Sequence, residues 1–230
     1  EISALIIMMI RKTILTSLLM SFVCVIVAQT NDFGSWLSVG MSKEYTKKID
    51  FGASVETRFV ENVSRLDVLF CELDASYKIV KPISVEVAYR AISSYATDDG
   101  YSAEHRFFLG LTGNVKLEDF KITYKARIQR KYSELYKGPD AEIQNTLRNK
   151  LSVKYTLKGT PYRPYAGVEI FNPISNQSFE PISKYRAMIG LNYLFNSKYS
   201  MSVFYLRQNE INTGNPLSSN VIGVGFEAEL

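Results

Sequence analysis

The residues that do most protein chemistry are scarce in this chain, which carries one His, two Cys and one Trp. A single imidazole with no clustered carboxylates offers no ligand set for zinc or another metal. Cys24 falls in an apolar stretch near the start, so Cys71 stands alone in the remainder and no intrachain disulfide can form there. The glycines sit singly in strands or turns, and no phosphate-cradling loop is present. The formal net charge is only +4, too mild to argue for nucleic acid as a partner. Nothing implies a cofactor. In contrast, tyrosine is plentiful at 15 residues against one Trp, and it favours surfaces where an apolar region meets a wet one. The hydrophobic share of 46% is a globular value and argues against disorder.

The first apolar stretch reads as an export signal. Arg11 and Lys12 form a short basic start, Thr13 to Ala28 is apolar with small residues interspersed, and cleavage after Ala28 would leave Gln29 first. The run falls short of the roughly 18 to 20 residues a membrane helix needs, and no positive cluster follows it. Ser21, Phe22 and Val23 do not make Cys24 a lipoprotein cysteine. Residues 1–8 precede a plausible start at Met8 or Met9 and read as an over-extended start. The expected organisation is therefore 1–8 extension, 9–28 signal peptide and 29–230 a single domain.

From Asp32 onward the chain alternates apolar with polar. Ile49, Phe51, Ala53, Val55, Thr57 and Phe59 oppose Asp50, Gly52, Ser54, Glu56 and Arg58; Leu69, Cys71, Leu73, Ala75, Tyr77 and Ile79 oppose Phe70, Glu72, Asp74, Ser76 and Lys78. The pattern recurs down to Ile222–Leu230, and period two is a strand signal. The segments run about 10 to 13 residues, roughly twice a usual soluble strand. About twelve residues, rising roughly 3.3 Å each and tilted about 45°, cover about 28 Å, close to the apolar band of a membrane barrel. Short links (Tyr45–Ile49, Val80–Pro82, Lys116–Asp119, Lys158–Pro161, Asn196–Lys198) alternate with longer polar ones (Ala96–Ala103, Ser133–Ile143, Asn172–Ser183, Glu210–Ser218), with a medium one at Val60–Arg65. Tight periplasmic turns against longer extracellular loops give that alternation. The expected fold is all-β: a single antiparallel transmembrane β-barrel of about 10 to 12 strands. Ten strands from Ile49 onward satisfy the parity, and Phe33–Tyr45 reads as an eleventh whose placement stays open.

Alternation alone does not say which face is outside, because a soluble barrel or sandwich binding protein alternates with its apolar side inward. Strand length favours the membrane. So does the apolar face, nearly free of charge in its middle. Aromatics gather at its ends: Tyr45, Phe51, Tyr77, Tyr155, Tyr193, Phe195 and Tyr199 at one rim, Phe59, Tyr95, Phe107, Tyr132 and Tyr205 at the other. The closing stretch Val221–Leu230 alternates and ends on an apolar residue, as a terminal strand read by the barrel-assembly machinery tends to.

Trp36, the strand ending in Arg58, the run E-V-A-Y-R at Glu86–Arg90, R-P-Y-A-G-V-E-I-F at Arg163–Phe171 and Y-R-A-M-I-G-L-N-Y at Tyr185–Tyr193 follow one another over nearly the whole mature chain. In that order they resemble the Bacteroidota family of outer-membrane barrels catalogued as domain of unknown function 2490. The resemblance implies a fold and a bacterial outer-membrane location and no activity.

The polar face collects Arg58, Glu72, Asp74, Arg90, Arg106, Lys125, Arg127, Arg148, Lys150, Glu169 and Arg186. Early strands contribute acids, and Lys121 to Lys154 is largely basic. One reading is a selectivity lining that favours anions; the other is an ion-pair network filling a narrow barrel. The function expected is accordingly a narrow passive channel for small polar solutes or a structural envelope barrel, in contact with outer-membrane lipid and open to envelope protein partners. A lipid-modifying enzyme is the alternative. Such barrels place His and Ser two apart on the lipid face, but Phe107 stands two residues after His105, and a nucleophile from a neighbouring strand, such as Ser93, has no support in the pattern. No enzyme is expected. Asp98-Asp99-Gly100 is first of all a turn signal, and Tyr136, Pro139, Pro173, Phe179 and Pro181 offer the loops a contact surface.

Overall fold

The computed structural model describes residues 32–96, 100–133, 143–175, 178–212, 214 and 216–230. The export segment with its cleavage point, Asp98, Asp99, Tyr136 and Pro139 lie outside the described residues. The strands are β1 Asp32–Thr46, β2 Ile49–Val60, β3 Arg65–Val80, β4 Ile83–Ala96, β5 Gly100–Leu117, β6 Phe120–Ser133, β7 Ile143–Tyr155, β8 Tyr162–Ser175, β9 Ser178–Phe179, β10 Lys184–Leu194, β11 Tyr199–Glu210 and β12 Ser218–Glu229. All but the two-residue β9 form a closed ring. Each pairs antiparallel with the next, β8 pairs with β10 past β9, and β1 meets β12.

That last seam is parallel, with Trp36 opposite Gly223 and Val39 opposite Phe226. The eleventh segment that spoiled the parity of the sequence pattern is β1, and its pairing has a geometric cause. An odd number of strands cannot close with every seam antiparallel. Parallel pairs are slightly weaker per residue, and this one runs over eleven partner pairs, from Asp32–Ser219 to Ser42–Glu229. It also places Asp32 at the loop end of the ring and Leu230 at the turn end, where the Leu230 amide donates to the Ser42 carbonyl at 2.8 Å.

Period two carries through to the solid. Leu73, Val87, Leu109, Val168 and Ile189 are exposed on the outer face, while the buried apolar residues Phe70, Ala88, Ile92, Phe108, Leu206 and Val221 all point inward. The aromatic rims are built of touching rings. Tyr45–Phe51, Phe120–Tyr155, Tyr162–Tyr193 and Tyr199–Phe226 stand at the turn end, with Tyr95–Tyr101 and Phe107–Tyr132 at the loop end. An apolar wall between two aromatic girdles, with the charges inside, is a transmembrane barrel.

Two boundaries differ from expectation. Strands reach 18 residues in β5 and 16 in β3, longer than the 10 to 13 read from the pattern. The link expected over Ala96–Ala103 is much shorter, because Gly100 turns at φ 79° and Tyr101 at once pairs with Tyr95 across the hairpin. A left-handed φ is open to glycine without a Cβ clash, so Gly100 can already open β5 opposite Ala96.

Candidate functional site: the charged lumen

All eleven charged residues picked out on the polar face lie on inward positions of their strands. Their ladder partners put them in rungs: Arg90 opposite Glu72, Arg127 opposite Arg148, Lys125 opposite Lys150, Lys150 opposite Glu169, and Arg186 opposite Glu169. Arg106 faces Arg90 on one side and Lys131 on the other. Asp74 sits opposite Gly52, its carboxylate filling the space a Cβ would take there.

At mid-height the arginines share a collar with aromatic rings that runs once round the barrel. The Arg58 guanidinium lies 3.9 Å from the Trp36 ring centre and 5.3 Å from Phe70, and Arg90 lies 3.8 Å from Phe70 and 5.2 Å from Phe108. Arg127 and Arg148 approach Phe108 at 4.7 and 5.9 Å; Arg148 and Arg186 both approach Phe171 at 4.9 Å. Arg186 returns to Trp36 at 5.0 Å and closes the circuit. A guanidinium is planar and weakly hydrated, so it can offer its face to a ring while its edge binds a carboxylate. The edges are in fact taken. Arg90 Nε donates to Glu72 at 2.7 Å, Arg58 Nε to Glu56 at 2.7 Å, and Arg148 to Glu169 at 2.8 and 3.0 Å. Arg127 and Lys125 both hold Glu86, and Arg186 donates to Gln208 at 2.8 Å. Phe70 and Phe108 are each 4% exposed, Glu72 and Arg90 9%, so side chains pack closely around the lumen at this level.

Two cavities flank the collar and share no lining residue. The loop-side one, about 190 Å³, has the collar as its floor and rises past Arg106, Lys131 and Lys184. Its charged lining is basic throughout, because the carboxylates stand behind the cations: Glu104 takes Arg106 at 2.8 Å and Lys131 at 2.9 Å, and Glu210 takes Lys184 at 2.9 Å. The turn-side cavity, about 200 Å³, is lined by Lys121, Lys150 and Lys154 together with Thr123, Ser152, Val153, Tyr165, Met188 and Asn192.

Sequence reasoning did not single out Trp36, Phe70, Phe108 and Phe171 as site residues, nor Glu86 and Glu104. A signal was there. Phe70 and Phe108 are aromatics in phase with the polar face, one flanking Glu72 and the other flanking Arg106, where a lipid-facing ring has no place. The lone histidine is on the outer face, where His105 Nδ1 and the Tyr89 hydroxyl share a hydrogen bond of 2.7 Å and the two rings stack. Its hydrogen-bond partner is thus a tyrosine on β4, not Ser93. Among the described residues no group of His, Cys, Asp and Glu is placed to hold a metal ion.

The sequence profile described as "Protein of unknown function (DUF2490)" matches residues 33–218. No curated protein sequence matches the chain. Among solved structures, the NanC porin superposes with a TM-score of 0.51 at 13% identity, over 82% of this chain and 94% of that one. The KdgM porin gives 0.44 at 18% identity, over 74% and 81%. At 13% identity, the NanC likeness speaks for a shared barrel fold alone.

Proposed function

The chain belongs to the family described as protein of unknown function (DUF2490), and from its lumen we propose that it is a narrow outer-membrane channel for small anionic solutes. The observation that carries the reading is the loop-side cavity, whose charged lining is basic throughout and whose floor is the arginine collar. A pore that presents cations and recesses their carboxylates lowers the energy of an entering anion and raises that of a cation. Because the collar arginines are held by both rings and carboxylates, they act as a fixed electrostatic filter. The apolar outer wall contacts lipid, export proceeds through a signal removed near Ala28, and the assembly machinery reads β12. The barrel is non-enzymatic in this reading, so His105→Ala leaves its behaviour unchanged.

Planar-bilayer conductance of the refolded protein, with reversal potentials in a salt gradient, is the test. Discrete steps with anion preference are expected, and charge reversal at Arg127 and Arg148 should move the reversal potential toward cations. The burial of Glu72, Arg90 and Glu169 at mid-height supports one other reading, a closed structural barrel whose loops meet envelope partners. A silent bilayer, with folding verified by heat-modifiable gel mobility, would establish that one and end the channel.

A further inference from the structure

The turn-side cavity is built differently from the rest of the lumen. Lys121 on β6 and Lys154 on β7 are direct cross-strand partners. Like charges placed opposite one another destabilise a sheet, and here no carboxylate relieves them. Lys121, Lys150 and Lys154 form no ion pair among the described residues, whereas Lys125 on the same wall pairs with Glu86. Of the acids at this end, Asp74 and Glu227 are drawn away over Gly52 and Gly40, Glu44 and Asp50 pair with Lys78, and none of them lines the cavity.

Beside the apolar Val153 and Met188, the neutral groups around it include further donors. Tyr165 is the ladder partner of Lys154, and its ring and hydroxyl lie against Gly190, where a Cβ would come within 2.6 Å of them. Glycine there gives the phenol its seat. The hydroxyls of Ser152 and Tyr165 and the amide of Asn192 have no side-chain partner among the described residues, and all three line the same cavity. Three ammonium groups, two hydroxyls and an amide thus converge on one space of about 200 Å³ without an anion of the protein's own.

We propose that this turn-side cavity binds a small tetrahedral oxyanion of the phosphate type, free or carried as a monoester. The assignment rests on the channel reading for its role, as the point where an anion that has entered the lumen is retained, but the binding itself does not require conduction. The donor types select the ligand. Lysine is a compact point charge that turns its donors to any direction, which suits a tetrahedral group, while the planar fork of arginine is the better match for a carboxylate. Hydroxyl donors complete the shell as the ion's water is shed. A space of about 200 Å³ takes such an ion together with several waters of roughly 30 Å³ each.

Calorimetric titration of the full chain folded in detergent tests it, with inorganic phosphate, glycerol phosphate and acetate compared at equal ionic strength. Saturable binding of phosphate over acetate is expected, and the paired change Lys121→Met with Lys154→Met should weaken it about tenfold or more, the worth of a charge-assisted hydrogen bond. Tyr165→Phe should weaken it less, and Lys158→Met, in the turn where Lys158 pairs with Asp119 at 3.0 Å, should leave it unchanged. Glycerol phosphate binding as well as phosphate marks a site for monoesters; phosphate alone marks a site for the free ion. Binding that ignores the paired lysine change in a heat-modifiable, folded protein overturns the assignment, as does phosphate no better than acetate. Chloride conductance recorded on the same preparation separates the two ideas. Steps without phosphate binding sink the site and leave the channel, while binding with a silent bilayer sinks the channel and leaves the site.

Discussion

On the loop side of the lumen every cation has company. Arg58, Arg90, Arg106, Lys131, Arg148 and Lys184 each hold a carboxylate within 3.0 Å, and the collar arginines also lie against rings. Around the turn-side cavity the signs are kept apart. Lys121, Lys150 and Lys154 stand on β6 and β7, and Asp74 and Glu227 stand on β3 and β12. The two ends even differ in the cation used: arginine dominates where geometry is fixed, lysine where charge is left free. The lesson is that the same net sign can either build the lumen or serve what passes through it. A buried charge has to be matched by the protein, because leaving it unpaired in a low dielectric is costly. A charge at a wet mouth can wait for a ligand at little cost.

That contrast breaks most visibly at Glu169. It is 7% exposed and receives Arg148 at 2.8 Å, with Arg186 at 3.6 Å. Glu169→Gln takes the counter-charge from both guanidinium groups and should cost about 3 kcal/mol of folding stability, read from the urea midpoint of the barrel in lipid vesicles. Phe108→Ala comes next. It removes the ring shared by Arg90, Arg127 and Arg148, and the loss should be about 2 kcal/mol, less than in a dry core because water can enter. A larger single-channel step should accompany it. Arg186→Lys keeps the charge but gives up the planar stacking on Trp36 and Phe171, so about 1 kcal/mol is expected by the same unfolding measurement. Smallest of all is Lys121→Met, which should stay within about 0.5 kcal/mol of the parent or gain slightly as its repulsion from Lys154 is lifted. If Lys121→Met proved as damaging as Glu169→Gln, the two ends would not differ in kind.

Much of this was legible along the chain. Alternation in β2, β3 and β4 sorted Arg58, Glu72 and Arg90 onto the polar face, since successive side chains of a strand point to opposite sides. The rim tyrosines followed from position within each segment. What alternation could not supply was depth and neighbourhood. Glu86 is as polar as Glu72 in the pattern, yet it is the residue that holds both Lys125 and Arg127, and only the stagger of β4 against β6 across β5 decides that. Phe70 and Phe108 were in view on the polar face, but their meaning as seats for arginines needed the partners on other strands.

The sequence alone determined that the chain is a barrel of long strands with a charged interior and an apolar wall, because strand periodicity and length are local properties, carried by neighbours two residues apart. Tertiary structure alone decided that β1 closes the ring in parallel against β12, that one circuit of arginines and rings divides the lumen, and that three lysines around one cavity form no ion pair among the described residues. Each of these depends on residues brought together from segments far apart in the chain, through a register that no single strand encodes.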